Sequence, residues 1–208
     1  LSNFKTNHKV LGVTPEKIGK IAIKKGIPTI IDYFNKKISS KIVKKHGKAK
    51  VITATNVFAH IDNINSIVKS ILKTLKTDGV FISESHYLMP LIQTVQYDTI
   101  YHEHLRYYSL ESLNFLFKKH NLEIVDTKEI PTHGGSIRVY AARKGMYKIS
   151  NNIKKQFKKE KRYLNNKSFT KFRRSKGTCN LRVRSWRGSK LFDYCRRKIW
   201  GGTLSEFF

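Results

Sequence analysis

Apolar positions along this chain switch repeatedly between continuous short runs and a spacing of three and four. KVLGV (9–13) is a short apolar run that ends at Thr14-Pro15. Thr14 is the expected N-cap of the helix that follows, with Pro15 in its first turn and Ile18, Ile21 and Ala22 keeping a 3.6-residue period until Gly26. IPTIIDYF (27–34) fits a buried strand or a helix start equally well. The next helix runs from about Asn35 to His46 and closes at Gly47. VITATNVFAH (51–60) is β-branched and reads as a buried strand. Asp62 then caps a helix whose Ile64, Ile67, Val68, Ile71, Leu72 and Leu75 share one face. Asp78-Gly79 is the expected turn before another buried strand, VFISES (80–85). Strands alternating with helices of this length predict an α/β fold with a mostly parallel sheet covered on both faces.

After residue 86 the rhythm changes. Residues 88–97 are expected to be helical, 98–109 are polar and aromatic, and Leu110, Leu113, Leu116 and Phe117 mark a helix ending near Asn121. LEIVDTKEI (122–130) and SIRVYAARK (136–144) flank PTHGG, so they predict an antiparallel pair at the sheet edge. From about residue 146 the chain is polar, basic and helix-forming through NNIKKQFKKEKRYL. From Arg173 on it is rich in arginine, contains both tryptophans and both cysteines, and loses its periodicity. The expected organisation is therefore a domain over 1–145 and, over 146–208, a basic linker with the start of a second domain, less ordered than the first.

Charge adds a question about partners. Lys and Arg number 42 against 14 Asp and Glu, a net charge of +28. Residues 1–144 hold 23 basic and 11 acidic groups, whereas residues 145–208 hold 19 and 3. Scattered lysines in KIGKIAIKKG (17–26) read as solvated helix faces. The dense tail is the one segment that suggests a surface for nucleic acid. No run of 18 uncharged apolar residues occurs, and LSNFKTNHKV carries no signal-peptide core, so a cytoplasmic protein with no membrane partner is expected. Two cysteines cannot supply a four-thiolate zinc site.

Candidate chemistry gathers in YDTIYHEHLRYYS (97–109). Tyr101, His102, Glu103 and His104 place three titratable types within four residues. The i, i+2 histidines do not match the i, i+4 helical zinc pattern, so acid–base chemistry is expected and no metal. His60, just past a strand end, is the second candidate. His133 lies in the hairpin turn, and His8, His46 and His120 read as surface positions. The chain contains no G-x-G-x-x-G and no P-loop.

These residues carry a resemblance. ITATNVFAHIDN (52–63), LKTDGVFISES (75–85), QYDTIYHEHLRYYSLESLNFLFKKHNLEIVD (96–126) and PTHGGSIRVYAARKG (131–145) closely resemble the sugar C-methyltransferases. These are class I methyltransferases that use S-adenosylmethionine on nucleotide-linked keto-deoxysugars. The resemblance covers about residues 8–145. RGSKLFDYC (187–195) is only faintly similar to a stretch of the family's C-terminal domain. It implies a Rossmann-like fold, incomplete here: the N-terminal zinc module, the first strand and its Gly-rich cofactor loop are not in this sequence, and Thr14 stands where an acid is expected. On this expectation the chain is a fragment that is inactive alone. The resemblance further implies His104 as general base with Glu103 beside it, Tyr101 and His60 on the sugar or enolate, and Ala54 and Asn56 with Thr14 on the cofactor. The competing expectation is a basic nucleic-acid-binding module without enzymatic activity.

Overall fold

The computed structural model describes residues 1–100 and 103–175, and these divide into two units. Unit 1 comprises Leu1–Ala49 and Asn65–Lys76; unit 2 comprises Lys50–Ile64 and the described chain from Thr77 onward. The elements, in order, are α1 (Ser2–Lys5), β1 (Gly12–Thr14), α2 (Ile18–Lys24), β2 (Thr29–Ile31), α3 (Lys36–His46), β3 (Ala49–Thr55) and α4 (Ile64–Thr74). They continue with β4 (Leu75–His86), α5 (Leu88–Gln93), α6 (Leu110–Lys118), β5 (Leu122–Ile130), β6 (Ser136–Arg143), α7 (Asn151–Tyr163) and α8 (Asn166–Ser175).

In unit 1, β1 and β2 pair in parallel from Gly12↔Thr29 to Thr14↔Ile31. This resolves the middle of 27–34, Thr29–Ile31, as a short strand and corrects the expectation for Thr14. Its carbonyl accepts the Asp32 N–H (3.0 Å), which holds it in β1, and α2 starts later with Lys17 at the N-cap. The helix α3 follows its end signals closely. The Asn35 side chain accepts from the Lys37 and Ile38 N–H groups, and Gly47 closes the helix at φ 77°. Ile38 and Ile42 of α3 are buried, as are Val68 and Ile71 of α4.

Unit 2 is built on a four-stranded sheet in the order β3-β4-β6-β5. Both β4 and β5 pair antiparallel with β6, from Val80↔Ala142 to His86↔Ser136 and from Leu122↔Arg143 to Ile130↔Ser136. The expected antiparallel hairpin is present at one edge of the sheet, with β6 beside β4 and β5 outermost. Residues Val139, Ala141 and Ala142 of β6 are fully buried, which suits an interior strand. The expected turn at Asp78-Gly79 lies within β4, where the Asp78 carboxylate pairs with Lys50. The strand expected over 51–60 ends at Thr55. Asn56 turns the chain at φ 54°, and Phe58–His60 form a 3-10 turn.

That turn delivers Phe58 into the core. Its ring stacks on Phe81 at 5.4 Å and meets Tyr108 and Phe117, each at 6.4 Å. A second cluster joins Leu91 and Ile92 of α5 to Phe172 of α8, with Tyr97 stacked on Phe172 at 4.3 Å.

Gly145 (φ 79°) ends β6 close to the boundary expected at 145, yet the chain beyond it returns to unit 2. Ser150 N–H bonds to the Val125 carbonyl of β5, and α7 buries Ile153 and Glu160. The Glu160 carboxylate accepts from the Leu110 and Glu111 N–H groups, so α7 caps the N-terminus of α6. Gln156 donates to the Tyr87 hydroxyl (2.7 Å) and to Glu129 (2.7 Å). The part of the tail that holds both tryptophans and both cysteines lies outside the described residues. Among the described residues no helix is long and apolar enough to cross a membrane.

Candidate active site

A cleft of about 600 Å³ opens in unit 2 where several chain turns converge. β3 contributes Asn56, Ala59 and His60 from the turn at its end, and β4 contributes Ser85 and His86. Gln96 and Thr99 follow α5, His104 precedes α6, and His133-Gly134 come from the turn between β5 and β6. Two of these places lie at the carboxyl ends of β3 and β4, where open α/β sheets bind ligands.

The segment that carries His104 has no regular structure of its own and is held by outside partners. Leu105 N–H bonds to the Ala59 carbonyl (2.8 Å), and the Tyr108 carbonyl accepts from Leu88 N–H (2.9 Å). The Arg106 guanidinium donates to the Ile61 and Asp62 carbonyls, and the Tyr107 hydroxyl donates to the Thr99 carbonyl (2.9 Å). The Tyr108 hydroxyl reaches the Phe58 carbonyl, and burial pushes this phenol up to about 12. At the end of β4, the Glu84 carboxylate is taken up by Arg138 of β6 at 2.6 and 2.8 Å. Glu84 is thus a structural ion pair, and among the described residues no carboxylate lines the cleft.

Three imidazoles meet there. The His60 and His104 ring centroids are 4.9 Å apart, and His86 and His104 are 6.3 Å apart. His60 Nδ1 lies 3.0 Å from the Glu103 carbonyl oxygen. A carbonyl can only accept, so Nδ1 carries the proton and Nε2 is the basic nitrogen of neutral His60. His104 is pulled below the ordinary histidine value, first by burial and then by His60 and His86, against an upward pull from Glu103. It is therefore an uncharged imidazole at neutral pH, the state a proton acceptor needs.

The expected site residues fall into distinct places. His104, His60 and Asn56 share the cleft. Exposed Glu103 does not line it, but its carbonyl fixes the His60 ring. Half-buried Ala54 on β3 is not among the lining residues, and Thr14 belongs to unit 1. Tyr101 lies outside the described residues. Sequence reasoning passed over His86, Gln96 and Thr99. His86 had a usable signal, since it immediately follows the VFISES strand. Gln96 had none, because it reaches the cleft only through the turn after α5. Among the described residues no group of three His, Cys, Asp or Glu side chains is arranged to hold a metal ion.

Comparison with known proteins places this architecture. Residues 7–127 match the family described as "Methyltransferase domain". The chain belongs to this methyltransferase-domain family. Over 135 residues it is 38% identical to the C-methyltransferase NovU of Streptomyces niveus, which takes in 64% of this chain and 32% of NovU. The chain thus spans about a third of that relative's length. An S-adenosylmethionine-dependent methyltransferase from Clostridium acetobutylicum ATCC 824 superposes with a TM-score of 0.52 at 17% identity, covering 69% of this chain and 79% of that one. An Anabaena variabilis ATCC 29413 methyltransferase gives 0.51 at 14% identity, covering 69% and 72%. The fold is the class I, Rossmann-like methyltransferase fold with a mixed sheet.

Proposed function

We propose that this chain carries the proton-abstracting site of an S-adenosylmethionine-dependent C-methyltransferase whose substrate is a nucleotide-linked keto-deoxysugar. The observation that supports this most directly is His104. It is a partly buried imidazole kept neutral in a cleft with three further histidines and, among the described residues, no lining carboxylate.

Making a carbon–carbon bond at a methyl group needs a carbon nucleophile. A carbon next to a ketone becomes one when its proton is removed: the C–H electron pair forms the C=C bond of an enolate and the carbonyl oxygen takes the negative charge. His104 is the acceptor of that proton. The enolate oxygen needs hydrogen-bond donors, and the Asn56 amide is in place to serve. His60, its Nδ1 turned to the Glu103 carbonyl, offers Nε2 to a sugar hydroxyl. Tyr101 is assigned to the same oxygen by resemblance.

The lining groups suit an oxygen-rich reactant. They do not suit the cofactor, whose sulfonium and ammonium are cationic and call for carboxylates or carbonyls. Among the positions that the resemblance gives the cofactor, Thr14 offers a hydroxyl that already accepts the Glu16 N–H (3.3 Å).

Hydrogen–deuterium exchange next to the ketone of a nucleotide-linked keto-deoxysugar tests the proposal without requiring methyl transfer. Wild-type chain in deuterated water should exchange that proton, and His104→Ala should slow the exchange by about 10²–10⁴-fold, the usual worth of a general base. Equal rates in the two proteins would remove His104 from the role.

A further inference from the structure

Gln96 sits among three hydrogen bonds that together decide a proton position. Its Nε2 lies 2.7 Å from the Gly134 carbonyl and 2.6 Å from Thr94 Oγ1. The Gly134 carbonyl can only accept. Thr94 Oγ1 donates its single proton to the Pro90 carbonyl (2.9 Å), so it too is an acceptor toward Gln96. Both contacts demand the amide NH₂ on that side, which turns Oε1 toward His86 Nε2 at 3.1 Å. Oε1 only accepts, so His86 Nε2 must carry a hydrogen.

The backbone around Gln96 is unusual in ways that serve this placement. α5 ends in a reversal in which Gln96 N–H bonds to the Leu91 carbonyl (3.0 Å), and Val95 takes the left-handed position, φ 56°. Glycine or asparagine is usual there; for a β-branched residue the conformation is an outlier of the kind that collects at functional sites. Val95 is held by its packing against the Leu91, Ile92 and Phe172 cluster. On the facing turn Gly134 has φ 74°, and a Cβ there would come within 2.5 Å of Gln96 Oε1. The turn between β5 and β6 thus needs glycine at 134 to admit the amide.

We propose that Gln96 is a positioning residue that fixes His86, whose ring lies 6.3 Å from that of His104, as its Nε2–H tautomer. The cleft then holds two imidazoles of opposite tautomer, His60 with Nδ1–H and His86 with Nε2–H, each locked by an oxygen that can only accept. The tautomer follows from the hydrogen bonds alone; its meaning for catalysis rests on the reading of His104 as the base.

Nitrogen NMR of the chain labelled with ¹⁵N-histidine tests it. Wild type should show His86 Nε2 as a pyrrole-type nitrogen with an attached proton protected from solvent exchange. Gln96→Leu should lose that protection and shift the tautomer ratio toward the other form by roughly fivefold or more, the worth of one hydrogen bond. Gly134→Ala, which displaces the amide without removing it, should do the same. An Nδ1–H tautomer of His86 in wild type would overturn the proposal. So would an unchanged, protected Nε2–H signal in either folded variant. The deuterium-exchange test of His104 is separate, so failure of either result leaves the other standing.

Discussion

His104 and Glu160 are both titratable and both pressed by burial toward their uncharged forms, yet one lines a cleft and the other braces a helix. Burial lowers His104, and His60 and His86 push it the same way. Burial also raises Glu160, against the N–H groups of Leu110 and Glu111 that favour its anion. The difference lies in what surrounds them. The Glu160 side chain is 3% exposed and spends its oxygens on the first turn of α6. His104 faces a cleft with room for a second molecule. A perturbed titration by itself marks only burial; burial next to an open, polar cavity marks a site.

Replacing the two residues should separate these roles, and the largest effect belongs to the cleft. His104→Ala should cut ketone-adjacent proton exchange by about 10²–10⁴-fold while leaving thermal stability nearly unchanged. A drop in melting temperature that matches the loss of exchange would erase the distinction between cleft and brace.

The next largest effect belongs to the brace. Glu160→Ala strips the Leu110 and Glu111 N–H groups of their acceptor and should cost about 2–3 kcal/mol, or roughly 4–12 °C in melting temperature for a chain of this size. Glu160→Gln keeps one acceptor oxygen and should cost about half as much. Calorimetry on the three proteins decides it, and equal stability would mean that α7 does not hold α6.

A subtler contrast is expected with pH, because the two shifts have opposite linkage signs. Glu160 has a raised folded value, so its contribution is fully present below its ordinary 4.5 and is lost as pH rises through the folded value. His104 has a lowered folded value, so its contribution is fully present above its ordinary 6.5 and is lost as pH falls through the folded value. Denaturant unfolding across this range should show wild type losing ground to Glu160→Gln as pH rises and gaining on His104→Ala. Parallel stability curves for all three proteins would contradict both signs.

The smallest effect is reserved for the neighbour of Glu160. Lys159 pairs with Glu129 at 2.6 Å, but both side chains are well exposed. Lys159→Ala should therefore cost under about 1 kcal/mol. A loss as large as that of Glu160→Ala would show that the whole helix face, and not the buried carboxylate, fastens α7.

Local signals in the sequence determined the elements that depend on neighbours along the chain. Asn35 and Gly47 mark α3 because a side-chain acceptor and a left-handed glycine answer the helix's own end groups. The apolar period places α4 and α6, and β5 spans the residues its pattern predicts. The Y-H-E-H segment was legible as chemistry because its residue types are adjacent. Tertiary structure alone decided the rest. Thr14 looked like a helix cap, but a backbone bond from Asp32 across the parallel pair keeps it in β1. Glu160 lies in the polar, basic run KKQFKKEKRY, where nothing along the chain marks it as buried; only the approach of the α6 N-terminus gives its carboxylate partners. His86, Gln96 and Gly134 are far apart or unremarkable in sequence, and they meet because α5 reverses at a strained Val95 beside the turn between β5 and β6. Sequence patterns record the hydrogen bonds that close within a few residues. This cleft is made of bonds that close across 10 to 43 residues.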